Sequence, residues 1–254
     1  MKIVPGLVAS LSALALALSA SASPTISVEA GPLYGGLNPW QSQGGGEFTA
    51  FSSAGIPQGY ASDATLSLSG MTGFETFCIL PGVDLGWMTP YSYSIDPDIW
   101  VPTSGDLAAG ANDEALSQGT AWLYAQFATG QLSGYDYADS DKSNSRLNDA
   151  SALQQALWYF QGETYLPSDP TFVNLALARF GSTSAAMAAE NPGEFGTDVI
   201  NIYTTNADGR PDVLQQAQLV YAPDLASTAL LLGGGLLILL AARKRLALAV
   251  DTTG

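Results

Sequence analysis

The chain has no histidine, one cysteine and few basic residues, and each scarcity removes a class of function. Without histidine there is no Ser-His or Cys-His nucleophile pair, no imidazole base and no ordinary zinc site. Lys and Arg number 8 against 23 Asp and Glu, for a formal net charge of -15. Four of those bases, Lys2, Arg243, Lys244 and Arg245, lie in the end segments, leaving Lys142, Arg146, Arg179 and Arg210 for the body of the chain. No basic patch is available to neutralise phosphates, so nucleic acid is disfavoured as a partner.

Both ends read as targeting segments. Lys2 precedes an apolar stretch over 3–18, and Ala20-Ser21-Ala22 offers small residues for cleavage. Residues 1–22 are therefore expected to be a secretory signal peptide. Residues 225–242 are apolar and run into Arg243-Lys244-Arg245. That length just spans a hydrocarbon core, and the basic cluster orients the preceding chain outward. A short tail, 246–254, follows. Residues 23–221 remain for one exported domain.

Within that domain, 23–70 is rich in Gly, Ser and Pro, with Gly44-Gly45-Gly46 as a break. Short alternating runs at 47–51 and 64–68 read as strands. Residues 74–80 continue the pattern, with Phe74, Thr76, Cys78 and Leu80 on one face and Phe77 and Ile79 on the other, ending at Pro81-Gly82. Residues 91–101 are aromatic, and Pro97 confines them to an edge strand or loop. Helices are expected over 112–129, from the N-cap Asp149 to Gly162, from Asp169-Pro170 to Phe180, and over 183–190. Strands return at 198–203 and 218–221 around a turn through Ala207-Asp208-Gly209. The expected fold class is α+β, with strands at both ends of the domain packed against a central group of about four helices.

An exported protein with one cysteine points to an intermolecular bond or to special thiol chemistry. Cys78 lies in the run Phe74-Glu75-Thr76-Phe77-Cys78-Ile79-Leu80. A thiolate and a glutamine amide can condense, releasing ammonia, to an internal thioester. Leu153-Gln154-Gln155-Ala156-Leu157-Trp158 offers two glutamines. At helical spacing Leu153, Leu157 and Phe160 form the buried stripe, Gln154 falls at its margin between Ala150 and Trp158, and Gln155 points to the wetter side. Gln154 is thus the expected partner. The plainer alternative makes Cys78 a small buried hydrophobe and Gln154 a hydrogen-bonding partner for loop backbone.

These residues resemble a family. Phe77-Cys78-Ile79 together with Leu153-Gln154-Gln155-Ala156-Leu157-Trp158 is similar to the paired motifs of bacterial thioester domains, over about 74–158. The resemblance implies a Cys78–Gln154 cross-link that captures a nucleophile on a partner surface once, without turnover, as in cell-surface adhesins. It implies no enzyme activity and no cofactor. Phe77, Trp122 and Trp158 are the candidate aromatic shield. One position departs: the family usually has Asp or Asn two residues after the cysteine, where this chain has Leu80.

Two acidic groupings stand beside it in the sequence. Asp136, Asp139, Asp141 and Asn144, with Asp149 beyond, suggest oxygen ligands for calcium, but the loop lacks the EF-hand glycine and has Ala150 where the bidentate Glu belongs. A solvated acidic loop is the simpler reading, and no metal site is expected. Asp96 and Asp98 flank Pro97 and fit a turn better than a glycosidase acid pair.

At the C-terminal end, Ala222-Pro223-Asp224-Leu225-Ala226-Ser227-Thr228, the apolar span and Arg243-Lys244-Arg245 resemble the PEP-CTERM class of sorting signals, in the variant reading Val-Pro-Asp-Ser-Gly. Pro223 and Asp224 match, and Ala222, Leu225 and Ala226 depart. The resemblance implies an exosortase-type transpeptidase as partner, a membrane-anchored intermediate at the inner membrane, and final residence at the cell surface or in an extracellular polysaccharide matrix. A plain membrane anchor is the alternative for this segment. For the whole protein, the alternative is a non-reactive structural component of the envelope or matrix with the same fold.

Overall fold

The computed structural model describes residues 25–29, 41–42, 45–53, 67–68, 71–101, 112–137, 145–164 and 166–222. The expected signal peptide, apolar span and sorting motif from Pro223 onward lie outside them. No helix among the described residues is long and apolar enough to cross a membrane.

The described residues form a mixed α+β fold of twelve strands and four helices. Nine strands come first: β1 (Thr25–Glu29), β2 (Gln41–Ser42), β3 (Gly45–Gly46), β4 (Phe48–Ser52), β5 (Ser67–Leu68), β6 (Met71–Thr76), β7 (Tyr91–Asp96), β8 (Asp98–Val101) and β9 (Asn112–Ala115). Four helices follow: α1 (Gln118–Ala128), α2 (Ser145–Phe160), α3 (Thr171–Phe180) and α4 (Thr183–Ala186). Three strands end the domain: β10 (Thr197–Thr205), β11 (Pro211–Leu214) and β12 (Gln218–Tyr221).

The main sheet runs β11-β10-β7-β1-β4-β6-β5, with β12 also on β10. Beyond β6 the chain reaches β12: Leu219 N–H donates to Phe77 O at 3.0 Å and Ile79 N–H to Ala217 O at 3.0 Å, around a Cys78–Gln218 bridge. The sheet thereby closes on itself, and Cys78 sits on the closing seam.

Alternation then sorts the side chains into two cores. Ile26, Val28, Phe48, Ala50, Phe74, Cys78, Ile200, Ile202 and Val220 cluster inside the closed sheet. Phe77, Ile79, Val199 and Leu219 face outward and pack against the helices. Burial of this kind contributes about 25 cal/mol per Å² of apolar surface, so the seam is held from both faces.

Several element boundaries differ from expectation, each for a local reason. Residues 112–115 form β9 against β8 rather than the start of a helix. The helix begins after Ser117, whose hydroxyl caps it by accepting Thr120 N–H at 3.2 Å. Asp149 lies inside α2 rather than capping it, its carboxylate accepting Asp136 N–H at 2.8 Å. The last helix stops at Ala186 instead of Glu190. Pro97 does not confine its neighbours to an edge, because it falls between β7 and β8 and takes no ladder bond from β7, an interior strand between β10 and β1. An added strand, β11, pairs with β10 where the sequence pattern shows only a turn.

Glu190 supplies a pH dependence. Burial pushes its carboxyl up to about 7, with Asp198 and Glu194 adding to the rise and the Phe195 N–H opposing it. A carboxyl raised on folding favours the native state while protonated, so its contribution is lost as pH climbs from the ordinary value of 4.5 through about 7. Burial first, then the charge of Asp96, raises Asp198 in the same sense. Urea midpoints measured between about pH 5 and 8 should therefore fall for the wild type. Glu190→Gln, which keeps an acceptor for Phe195 N–H, should flatten that fall and stand more stable at the alkaline end.

Candidate functional site

Helix α2 brings Gln154 to the seam. Leu153, Leu157 and Phe160 are buried, as the helical stripe requires, and Gln154 is fully buried while Gln155 is half-exposed. The register of β4 with β6 pairs Phe48 with Thr76, so one step further on Gly46 would stand opposite Cys78. No backbone rung is made there; the Gln154 amide occupies the gap. Its Nε2 donates to Cys78 O at 2.7 Å, and its Oε1 accepts Cys78 N–H at 3.3 Å and Gly46 N–H at 3.4 Å. The Cys78 Sγ also lies 3.3 Å from Gln154 Oε1. The two residues are 76 positions apart in sequence and in direct contact in the fold.

The approach of the strand depends on a missing side chain. Gly45 has φ +103°, and a Cβ there would lie 2.6 Å from Gln154 Cγ and 3.0 Å from Trp158 Cη2. Only glycine permits this contact and this backbone conformation. The glycine run that reads as a chain break is thus a wall of the site.

A buried ion pair fastens the same strand to the same helix. Arg146, in the first turns of α2, donates from Nε to Glu47 Oε2 at 3.1 Å and from Nη2 to Glu47 Oε1. Tyr135 O–H donates to Glu47 Oε2 at 2.6 Å. Burial opposes the charge on Arg146, and the hydrogen-bonded, negatively charged Glu47 overrides it and holds the guanidinium above its ordinary value. Glu47 adjoins Gly46, so the pair sets Gly46 against Gln154.

Burial pushes the Cys78 thiol well above its ordinary value, with hydrogen bonding to backbone opposing only part of the rise. At neutral pH it is therefore a neutral thiol rather than a thiolate. Beside it opens a cavity of about 690 Å³ lined by Cys78, Gly45, Phe48, Trp158 and the loop from Pro81 to Trp87. Trp87 stacks on Phe48 with ring centroids 5.8 Å apart. Among the described residues, Asp84 is the one Asp, Glu, Lys or Arg on the wall. Two buried side-chain atoms near the seam have no hydrogen-bond partner among the described residues: the indole N–H of Trp158 and the Oε1 of Gln218, the residue bridged to Cys78. Buried polar atoms of this kind are rare enough to mark a place where another group can bind.

No family model matches the chain, and neither does any curated protein or solved structure. What the site can do therefore rests on its own geometry.

The expected aromatic shield is redrawn. Trp158 lines the cavity. Phe77 points to the helix side, edge-on to Phe127 at 4.9 Å, and Trp122 packs edge-on to Phe180 at 6.1 Å. Strand alternation explains the first, since neighbours of Cys78 face the opposite way. Phe48 and Trp87 take the places expected of Phe77 and Trp122; stacking of a strand aromatic on a loop tryptophan left no periodic signal. Leu80 leaves the Cys78 face as well, because the alternation ends with the strand, and it is buried in the helix-side core.

The acidic groupings fall as turns and caps. Asp96 Oδ1 accepts Asp98 N–H at 3.1 Å across Pro97. Ser145 donates its hydroxyl to Asp136, whose N–H meets Asp149. Asp139, Asp141 and Asn144 lie outside the described residues. Among those described, no group of three or more His, Cys, Asp or Glu is placed to hold a metal.

Proposed function

We propose that Cys78 and Gln154 condense to an internal thioester and that the protein uses it once, on an exported surface, to bond covalently to a nucleophile. The observation that carries this reading is the contact of the Cys78 Sγ with the Gln154 side-chain carbonyl, 3.3 Å from its oxygen, in a fully buried setting. The S–C bond forms as the C–N bond of the amide breaks, and the thiol proton leaves with the nitrogen as ammonia. An incoming amine or hydroxyl then displaces the thiol, which regains a proton, and the acyl group of Gln154 remains on the newcomer.

The surroundings suit a bond that must survive in water and still be reached. Burial of Cys78 keeps bulk solvent away, and the adjoining cavity gives a path for the nucleophile. Trp158, which lines that cavity, has an unpartnered indole N–H that leaves one hydrogen-bonding position for that group. The signal peptide, the PEP-CTERM-like motif at Pro223 and Asp224, and the basic Arg243-Lys244-Arg245 complete the proposal: export, recognition by an exosortase-type enzyme, and display at the surface or in the polysaccharide matrix.

Peptide mapping of the purified chain tests the cross-link. The peptides holding Cys78 and Gln154 should appear joined and lighter by one ammonia, and methylamine should separate them, modifying Gln154 and freeing the thiol. Cys78→Ala should show neither change. Unjoined peptides of full mass in the wild type would leave the structural alternative, in which Gln154 serves only to fill the missing rung between Gly46 and Cys78.

A further inference from the structure

We infer that the backbone N–H groups of Gly46 and Cys78 act as an oxyanion cradle for the side-chain carbonyl of Gln154. This rests on the thioester reading and assigns to it the groups that lower the barrier. Both N–H groups converge on the same atom, Gln154 Oε1, at 3.4 and 3.3 Å. That oxygen gains negative charge whenever a nucleophile adds to the carbonyl carbon, first Cys78 Sγ and later the incoming amine. Donors already aimed at a developing charge are among the largest contributors to catalysis, because nothing has to reorganise during the reaction. Around the uncharged amide the bonds are long, and charge on the oxygen shortens and strengthens them.

The rest of the site leaves this task to the backbone. The chain has no histidine, and among the described residues no Lys or Arg lines the cavity. The thiol is held neutral by burial, so both reactants start uncharged; negative charge develops on the carbonyl oxygen as the S–C bond forms, and the thiol proton passes to the departing nitrogen. The same convergence explains why the strand must be glycine: Gly46 N–H reaches Oε1 because Gly45 carries no Cβ to collide with Gln154. Glu47 and Arg146 hold that strand to α2 and are positioning residues for the cradle. In the forming step, Nε2 is the leaving nitrogen and starts on Cys78 O at 2.7 Å, so the amide is oriented with its oxygen toward the donors and its nitrogen away from them.

Two measurements on the full chain test the cradle. The first is infrared spectroscopy with ¹³C at the glutamine side-chain carbonyls. A thioester carbonyl held by two N–H groups should absorb at lower frequency in the native protein than after unfolding in denaturant; equal frequencies would overturn the proposal. The second replaces the peptide linkage between Gly45 and Gly46 with an ester by semisynthesis, which deletes the Gly46 N–H alone. Methylamine should then open the thioester about 10²-fold more slowly, the usual loss for one such donor. An unchanged rate with the thioester present would reject the cradle while leaving the cross-link standing, whereas a wild type of full mass would reject both. An ester protein that does not fold leaves the infrared comparison of the wild type to decide.

Discussion

Gln154→Ala is expected to abolish the ammonia loss entirely and to lower stability by ~3–5 kcal/mol. The truncation strands three buried backbone groups, Gly46 N–H, Cys78 N–H and Cys78 O, each of which now meets the amide. It also opens a void where a fully buried side chain stood. Cys78→Ala makes the informative contrast. It removes the thiol and hence any cross-link, yet leaves every backbone bond of Gln154 in place, so relative to an uncross-linked protein it should cost only ~1 kcal/mol. Denaturant unfolding of both variants beside the wild type separates the chemical role of the pair from its structural one. If Gln154→Ala were no less stable than Cys78→Ala, the account of Gln154 as the missing rung would be wrong.

Arg146→Met should be the next most damaging change, at ~3–5 kcal/mol, the range for removing one member of a buried ion pair. Glu47 is fully buried and would keep Tyr135 O–H but lose both guanidinium bonds. The double variant Glu47→Gln, Arg146→Met should recover part of the loss, since it removes the stranded charge rather than the packing. A double variant as unstable as the sum of the singles would show that the pair acts mainly through packing. The same Arg146→Met protein should form its thioester more slowly, which a time course of ammonia release would read. Gly46 then loses the anchor that sets it against Gln154.

The α+β class and the inward placement of Gln154 rather than Gln155 were legible in the sequence for physical reasons, whereas its pairing with Cys78 was suggested only by the resemblance to thioester domains. A helix of period 3.6 sends Leu153, Leu157 and Phe160 inward and carries Gln154 to the edge of that stripe. A strand ending at Pro81-Gly82 confines Cys78 to an ordered, paired segment. What remained hidden depends on partners distant in sequence. The seam with β12 requires residues some 140 positions away, and no local pattern announces it. Gly45 and Gly46 read as a break because glycine signals freedom in isolation; their use as a wall appears only when Gln154 and Trp158 press against them. Pro97 misled in the opposite way. Its rule holds, but the strand ends one residue before it applies.

Closure of the sheet by its last strand also orders events in time. A newly made chain emerges N-terminus first, so it presents Cys78 before Gln154 and β12 after both. Until Leu219 reaches Phe77 and Ala217 reaches Ile79, the Cys78 segment has a bonded neighbour on one side only. The pocket that shelters the thiol is therefore finished by the final stretch of the domain. Under the proposed thioester chemistry, the cross-link therefore forms only after residues 217–219 have emerged.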